Sequence, residues 1–174
     1  KSDKKSDEPK CKRNLGHLSG SFETNTIYYV EDSKTGAVVP HNSYGSNNFL
    51  KLDYQLGRFS AGVQLEYYPH PLVGTPMQGY EYVMEGFSIN NLTEKYISWT
   101  DRNYSVTVGD FYEQFGSGLI LRAWEDRALG FNNSLGGARV TFNIKDIVEG
   151  KVLYAFPRFN LGYLSPQMAG GDLS

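Results

Sequence analysis

Residues 50–67 constrain the fold more than any other part of this chain. Leu50, Leu52, Tyr54 and Leu56 alternate with Lys51, Asp53 and Gln55. After Gly57-Arg58 the alternation resumes, with Phe59, Ala61, Val63, Leu65 and Tyr67 set against Ser60, Gly62, Gln64 and Glu66. Successive side chains of a strand point to opposite faces, so a period of two gathers the apolar groups on one face. A two-residue connection containing Gly suits a tight antiparallel hairpin. The pattern recurs. Leu18, Phe22, Tyr28 and Val30 share one parity, and Tyr104, Val106 and Val108 oppose Ser105, Thr107 and Gly109 after a turn at Asp101-Arg102. Ala138, Val140, Phe142 and Ile144 alternate with Arg139, Thr141, Asn143 and Lys145. A turn over 146–150, with Gly150 as a turn residue like Gly57, leads into a strand over 151–156. No helix is predicted, beyond a brief helical turn within 143–148.

The connections between these strands alternate in length. Short turns fall at 57–58, 101–102 and 146–150, and long connections at 31–47, 69–94 and 111–136. An outer-membrane barrel has short periplasmic turns at one end and long loops at the other. On that reading the N-terminus is periplasmic and the first strand runs outward. The expected fold class is therefore all-β, antiparallel up-and-down hairpins, as a transmembrane β-barrel or an N-terminal fragment of one. The alternative is a soluble β-sandwich. The pattern yields about seven strands, whereas bacterial single-chain barrels close with an even number from eight upward. The missing closure points to the N-terminal part of a larger barrel, or to a strand hidden in 80–94 or 111–123. Residues 1–14 are nearly all charged or polar and read as a flexible arm. Residues 15–159 carry the strands and loops, and 160–174 read as an irregular Gly/Pro/Ser-rich tail.

Composition narrows the function classes. Mean hydropathy is -0.45, and no stretch approaches the roughly 20 apolar residues of a spanning helix. Alternating barrel strands average out to such a value. Thirteen Tyr, 10 Phe and 2 Trp suit both strands and membrane interfaces. A net charge of -2 gives no electrostatic case for nucleic acid. Cys11 is the single cysteine, so neither a disulfide framework nor a cysteine-based metal site is expected. It lacks the preceding apolar run of a lipid-anchored cysteine. His17, His41 and His70 show no ligand spacing, and no metal or cofactor is expected.

The densest chemistry lies between Gly109 and Ser134. Asp110, Glu113, Arg122, Trp124, Glu125, Asp126 and Arg127 gather there among flexible glycines. Such a segment reads as a loop over 111–136 that folds into the lumen or over the mouth of a barrel. Arg122 and Arg127 would clamp an anion through paired N–H donors, and the carboxylates would meet a cation or sugar hydroxyls. Alternatively these charges pair and hold the loop in place, since charges facing a lumen need partners. Glu125 and Asp126 are adjacent and point to opposite faces of a strand, and Asp110 and Glu113 also differ in parity, so no carboxylate pair for glycoside hydrolysis is visible. Gly116-Ser117-Gly118 lacks both the nucleophile-elbow pattern and the phosphate-loop lysine.

The stretches Gly20–Asn25 and Asn47–Tyr54, and above all the run Gly109-Asp110-Phe111-Tyr112-Glu113-Gln114-Phe115-Gly116-Ser117-Gly118, resemble the N-terminal part of an uncharacterised outer-membrane β-barrel family of Bacteroidota, a domain of unknown function. The similarity spans His17 to Phe159. It implies a fold and a location and carries over no catalytic residue. The expected function is a non-enzymatic outer-membrane barrel, porin-like or a subunit of an envelope assembly. Its expected partners are outer-membrane lipid and other envelope proteins. The alternative is a soluble or surface-exposed β-rich binding module at the cell surface or in the periplasm, with Tyr and Trp stacking on carbohydrate.

Overall fold

The computed structural model describes residues 15–39, 43–72, 92–128, 130–145, 147–159 and 161–174. The expected arm over 1–14 and most of the connection over 69–94 lie outside them. Among the described residues there are eleven strands: β1 (His17–Tyr28), β2 (Tyr44–Leu56), β3 (Phe59–His70), β4 (Leu92–Thr100), β5 (Tyr104–Phe111), β6 (Glu125–Asp126), β7 (Phe131–Asn132), β8 (Leu135–Ile144), β9 (Val148–Phe159), β10 (Gly162–Tyr163) and β11 (Met168–Leu173). All pairs are antiparallel. The main sheet runs β1-β2-β3-β4-β5-β8-β9-β10, with β11 also pairing on β9. The small β6–β7 hairpin forms a second sheet.

The main sheet is an up-and-down meander. Gly57, with a φ of 59°, turns β2 into β3, in the left-handed region that a Cβ disfavours. Two predicted details differ. Asn143 and Ile144 belong to β8 and Val148 to β9, with Lys145 left-handed (φ 54°) after β8, and Gly150 lies inside β9 opposite Phe142. An added Cβ at Gly150 would meet the Phe142 ring at 2.2 Å, so that glycine serves close contact across the pair. The stretch expected as an irregular tail carries β10 and β11. Ser174 exchanges backbone bonds of 2.9 Å with Glu149. β11 thereby returns to the short-turn end, as an eighth long strand. Closure does not follow. Among the described residues β1 pairs only with β2 and β11 only with β9, so the sheet is open. No long strand is hidden in 111–123, where one isolated bridge joins Gln114 to Arg122.

Directly opposed residues of an antiparallel pair share a face, so the registers sort every side chain. Leu52, Val63, Ile97, Val108, Val140 and Val152 fall on one face. Lys51, Gln64, Glu94, Thr107, Arg139 and Lys151 fall on the other. In the long strands every exposed large hydrophobic side chain except Ile27 lies on the first face. Gln64 and Glu66 on the second face are buried, whereas Val63 and Tyr67 beside them are exposed. This is the reverse of a sheet that covers a water-excluded core with its apolar side. The principal apolar cluster is small and lies on the polar face. There Phe111, Leu135, Leu153 and Ala155 pack against Leu121 and Ala123 of the β5–β8 connection.

Candidate functional site

The β5–β8 connection, residues 112–134, lies on the polar face of the sheet. Its base is held by Glu113. That carboxylate accepts from Arg139 Nη1 of β8 at 2.9 Å and from Lys151 Nζ of β9 at 2.8 Å. Both partners lie on polar-face positions of strands that pair to each other. Burial raises the Glu113 pKa, and the bonds from Lys151, the Gln114 N–H and Arg139 outweigh it, leaving the carboxyl below its ordinary range. Phe115 and Tyr112 pack on the apolar cluster, and burial pushes the Tyr112 phenol well above its ordinary value.

The tip of the connection is the β6–β7 hairpin, held by Arg127. Its guanidinium donates to Glu23 of β1 at 2.8 Å and to Gln64 Oε1 of β3 at 2.9 Å. It also stacks over Phe49 of β2, 4.9 Å from the ring centroid. One side chain thus ties the connection to three consecutive strands. Burial disfavours the charge, but Glu23 and Glu125 hold the Arg127 pKa above its ordinary value. Gln64 completes the junction by donating to Glu125 at 2.6 Å and to Glu66 at 3.1 Å. Glu66 also accepts from Thr93 and Tyr68, at 2.7 and 2.6 Å.

The predicted cluster therefore divides. Glu113, Glu125 and Arg127 pair with the sheet rather than converging on one ligand. Asp126 lies in β6 opposite Phe131. Trp124 packs on Phe131 with ring centroids 5.0 Å apart, and Arg122 stacks over Trp124 at 5.4 Å. Arg122 and Arg127 form no shared clamp. The hydrogen bonds of Glu113 and Arg127 run to side chains of the main sheet.

Asp110 belongs elsewhere. It sits on an apolar-face position, opposite Gly136. It accepts from the Lys95 backbone N–H at 3.0 Å, from Lys95 Nζ at 3.1 Å, from Arg158 Nη2 at 3.2 Å and from the Tyr163 hydroxyl. Arg158 and Asp110 are buried, and the Arg158 guanidinium lies 4.2 Å from the Tyr163 ring centroid. Two glycines make this arrangement possible. Gly109 has a φ of 114°, and a Cβ there would strike the Lys95 carbonyl at 2.1 Å. A Cβ at Gly136 would meet the Tyr163 ring at 2.2 Å. Sequence reasoning missed Lys95, Arg158 and Tyr163. A signal was present, since Lys95, Asp110 and Arg158 are charges at apolar-parity positions. It likewise missed Glu23, Gln64, Arg139 and Lys151 as anchors, because all are ordinary polar-parity residues until the connection meets them.

Among the described residues, no group of three or more His, Cys, Asp or Glu side chains is placed to hold a metal ion. The chain belongs to a family of unknown function (DUF6029), whose model matches residues 5–174. No curated protein and no solved structure matches it.

Proposed function

We propose that this chain is a segment of a non-enzymatic β-barrel of a Gram-negative outer membrane, porin-like or part of an envelope assembly, with residues 112–134 as a segment lying across its lumen. One observation carries this reading: in the long strands the large apolar side chains cover the exposed face of the sheet, and the charged ones, apart from Lys95, Asp110 and Arg158, lie on the other face. A lone hydrophobic side chain in water needs no explanation, but a whole apolar face does. Each such group gains about 1.5–3 kcal/mol on full removal from water, so a face of this extent calls for an apolar surrounding. The order of side chains along it supports a bilayer. Phe59, Trp99, Tyr104 and Phe142 lie on neighbouring strands near the short turns, and Tyr28, Tyr44 and Tyr67 lie towards the long connections. Aliphatic Leu52, Val63, Ile97, Val108 and Val140 lie between. Phe59 and Tyr67 are eight residues apart in β3, or roughly 27 Å along the strand at about 3.4 Å per residue. Tilted, that suits an apolar band about 25 Å tall flanked by aromatic girdles.

A second reading, a surface-exposed β-rich binding module, draws on a different observation. The sheet is open among the described residues, and its polar face carries ion pairs from half-buried Arg139 and Lys151 to the buried Glu113. Such polar cover suits a domain folded in water. The two Trp residues separate these readings. In a Trp124→Phe variant the remaining Trp99 reports from the apolar face. The membrane reading expects blue-shifted emission, quenched when the chain is reconstituted with brominated phospholipid. A folded monomer in plain buffer, with Trp99 emission untouched by brominated vesicles, would refute it in favour of the binding module.

A further inference from the structure

We infer that the apolar face around Lys95 is the docking surface for a second envelope protein, which sets a carboxylate against Lys95 and a large apolar side chain in the groove beside it. The inference rests on the membrane reading above and names the chemistry of a partner for that face. Lys95 pairs opposite Val63, midway between Phe59 and Tyr67, so it lies in the middle of the apolar band. A charge facing acyl chains at that depth is among the costliest placements in a barrel wall, and intramembrane charges face protein or a water-filled cavity instead. A lysine can relieve that cost by stretching its stem towards the rim. Here the ammonium is held in place, 3.1 Å from Asp110 and 3.1 Å from the Tyr163 hydroxyl, while the side chain is 44% exposed.

Charge selects the partner. Lys95 and Arg158 share the single Asp110 carboxylate, so the three groups keep one net positive charge. Arg158 is buried. An ammonium has three N–H donors, so the surplus is presented at Lys95, with one donor left beyond its two contacts. Lipid does not answer it, because phosphates lie beyond the aromatic girdles and acyl chains carry no charge. A second copy does not answer it either. Among the described residues Asp110 is the only carboxylate at an apolar-face position of the long strands, so two such faces bring like charges together. A carboxylate on a different protein completes the cluster. The groove fixes the neighbouring contact. Lys95 lines it with Leu52, Tyr54, Ala61, Val63 and Ile97, and its volume is about 500 Å³. Ala61 is the small side chain among them, directly opposite both Tyr54 and Ile97, so the hollow at that level takes an apolar side chain of the same partner.

The test places the photo-crosslinking residue p-benzoylphenylalanine at Leu52, on the groove, or at Val152, on β9 of the same face, in the full chain in its native membrane. Illumination gives one discrete protein adduct from Leu52 and lipid adducts alone from Val152. Lys95→Gln lowers the protein adduct about tenfold, the worth of one charge-assisted hydrogen bond, and Lys95→Arg keeps it. The Val152 lipid adducts measure insertion, so a variant that fails to fold is recognised by their loss. Replacing one Asp or Glu of the crosslinked segment by Lys removes the adduct from the wild type and restores it to Lys95→Glu. Lipid adducts alone at Leu52, an adduct to a second copy, a yield unchanged by Lys95→Gln, or no acidic position whose replacement restores Lys95→Glu overturns the inference while the membrane reading stands. A chain absent from the outer-membrane fraction, with Trp99 emission untouched by brominated phospholipid, overturns both.

Discussion

Replacing Arg127 by Met removes the guanidinium and keeps a stem of similar length over Phe49. Its two hydrogen bonds to the strands are unequal in value. Glu23 has a side chain 44% exposed, and pairs screened by water contribute about 0.2–1 kcal/mol. Gln64 is fully buried, and Arg127 is the donor to its Oε1 atom at 2.9 Å. Stripping that donor leaves a buried acceptor unpaired, which costs about 1–3 kcal/mol. The sum is about 1–4 kcal/mol, concentrated in the β6–β7 tip. The loss is local, since Glu113 still anchors the base of the connection on Arg139 and Lys151. Hydrogen exchange reads it directly. The Trp124 amide donates to Asn133 Oδ1 at 2.6 Å and the Asn133 amide to the Trp124 carbonyl at 3.2 Å. Opening of the tip by 2 kcal/mol accelerates exchange at these amides by about thirtyfold, while the amides of Val63 and Val140 hold their rates. Adding Glu23→Gln to Arg127→Met gives a coupling energy below about 1 kcal/mol. Unchanged exchange at Trp124 and Asn133, or an equal loss of protection throughout β3 and β8, would show that Arg127 does not latch this segment.

Two further outcomes follow from the same contacts. Gly136→Ala places a Cβ 2.2 Å from the Tyr163 ring and costs about 1–3 kcal/mol in chemical denaturation. Adding Tyr163→Ala relieves the clash, so the double variant loses less than the sum of the two single ones. The second outcome concerns acid. The Glu113 carboxyl is depressed below 4.5 in the folded chain, so its contribution is fully present above that value and fades as pH falls through the lower folded pKa. Exchange protection of the Ala123 amide, which donates to the Glu113 carbonyl at 2.8 Å, therefore weakens below about pH 4.5. In Glu113→Gln that acid dependence disappears, and persistence of the full dependence would contradict this assignment.

The strands were legible in the sequence because a period of two is a local property: Leu52, Val63 and Val108 declare their face by their neighbours alone. The alternation of short and long connections likewise foretold the meander. It did not foretell β11. Met168-Ala169-Gly170-Gly171-Asp172-Leu173 has too few large side chains to write an alternation, and its strand exists because β9 offers it an edge to bond. The candidate site was legible as composition and not as geometry. Glu113, Glu125 and Arg127 were found by their density, but their partners on the main sheet lie from 26 to 104 positions away, where no spacing rule reaches. Asp110 shows the limit most plainly. Its sequence neighbours place it with the loop charges, whereas the register puts it on the apolar face, with Lys95, Arg158 and Tyr163 brought in from three other strands. Parity is set by adjacent residues and can be read along the chain. Which charges neutralise one another is set by strand registers and by the path of a long connection, and those are decided only when the whole sheet is in place.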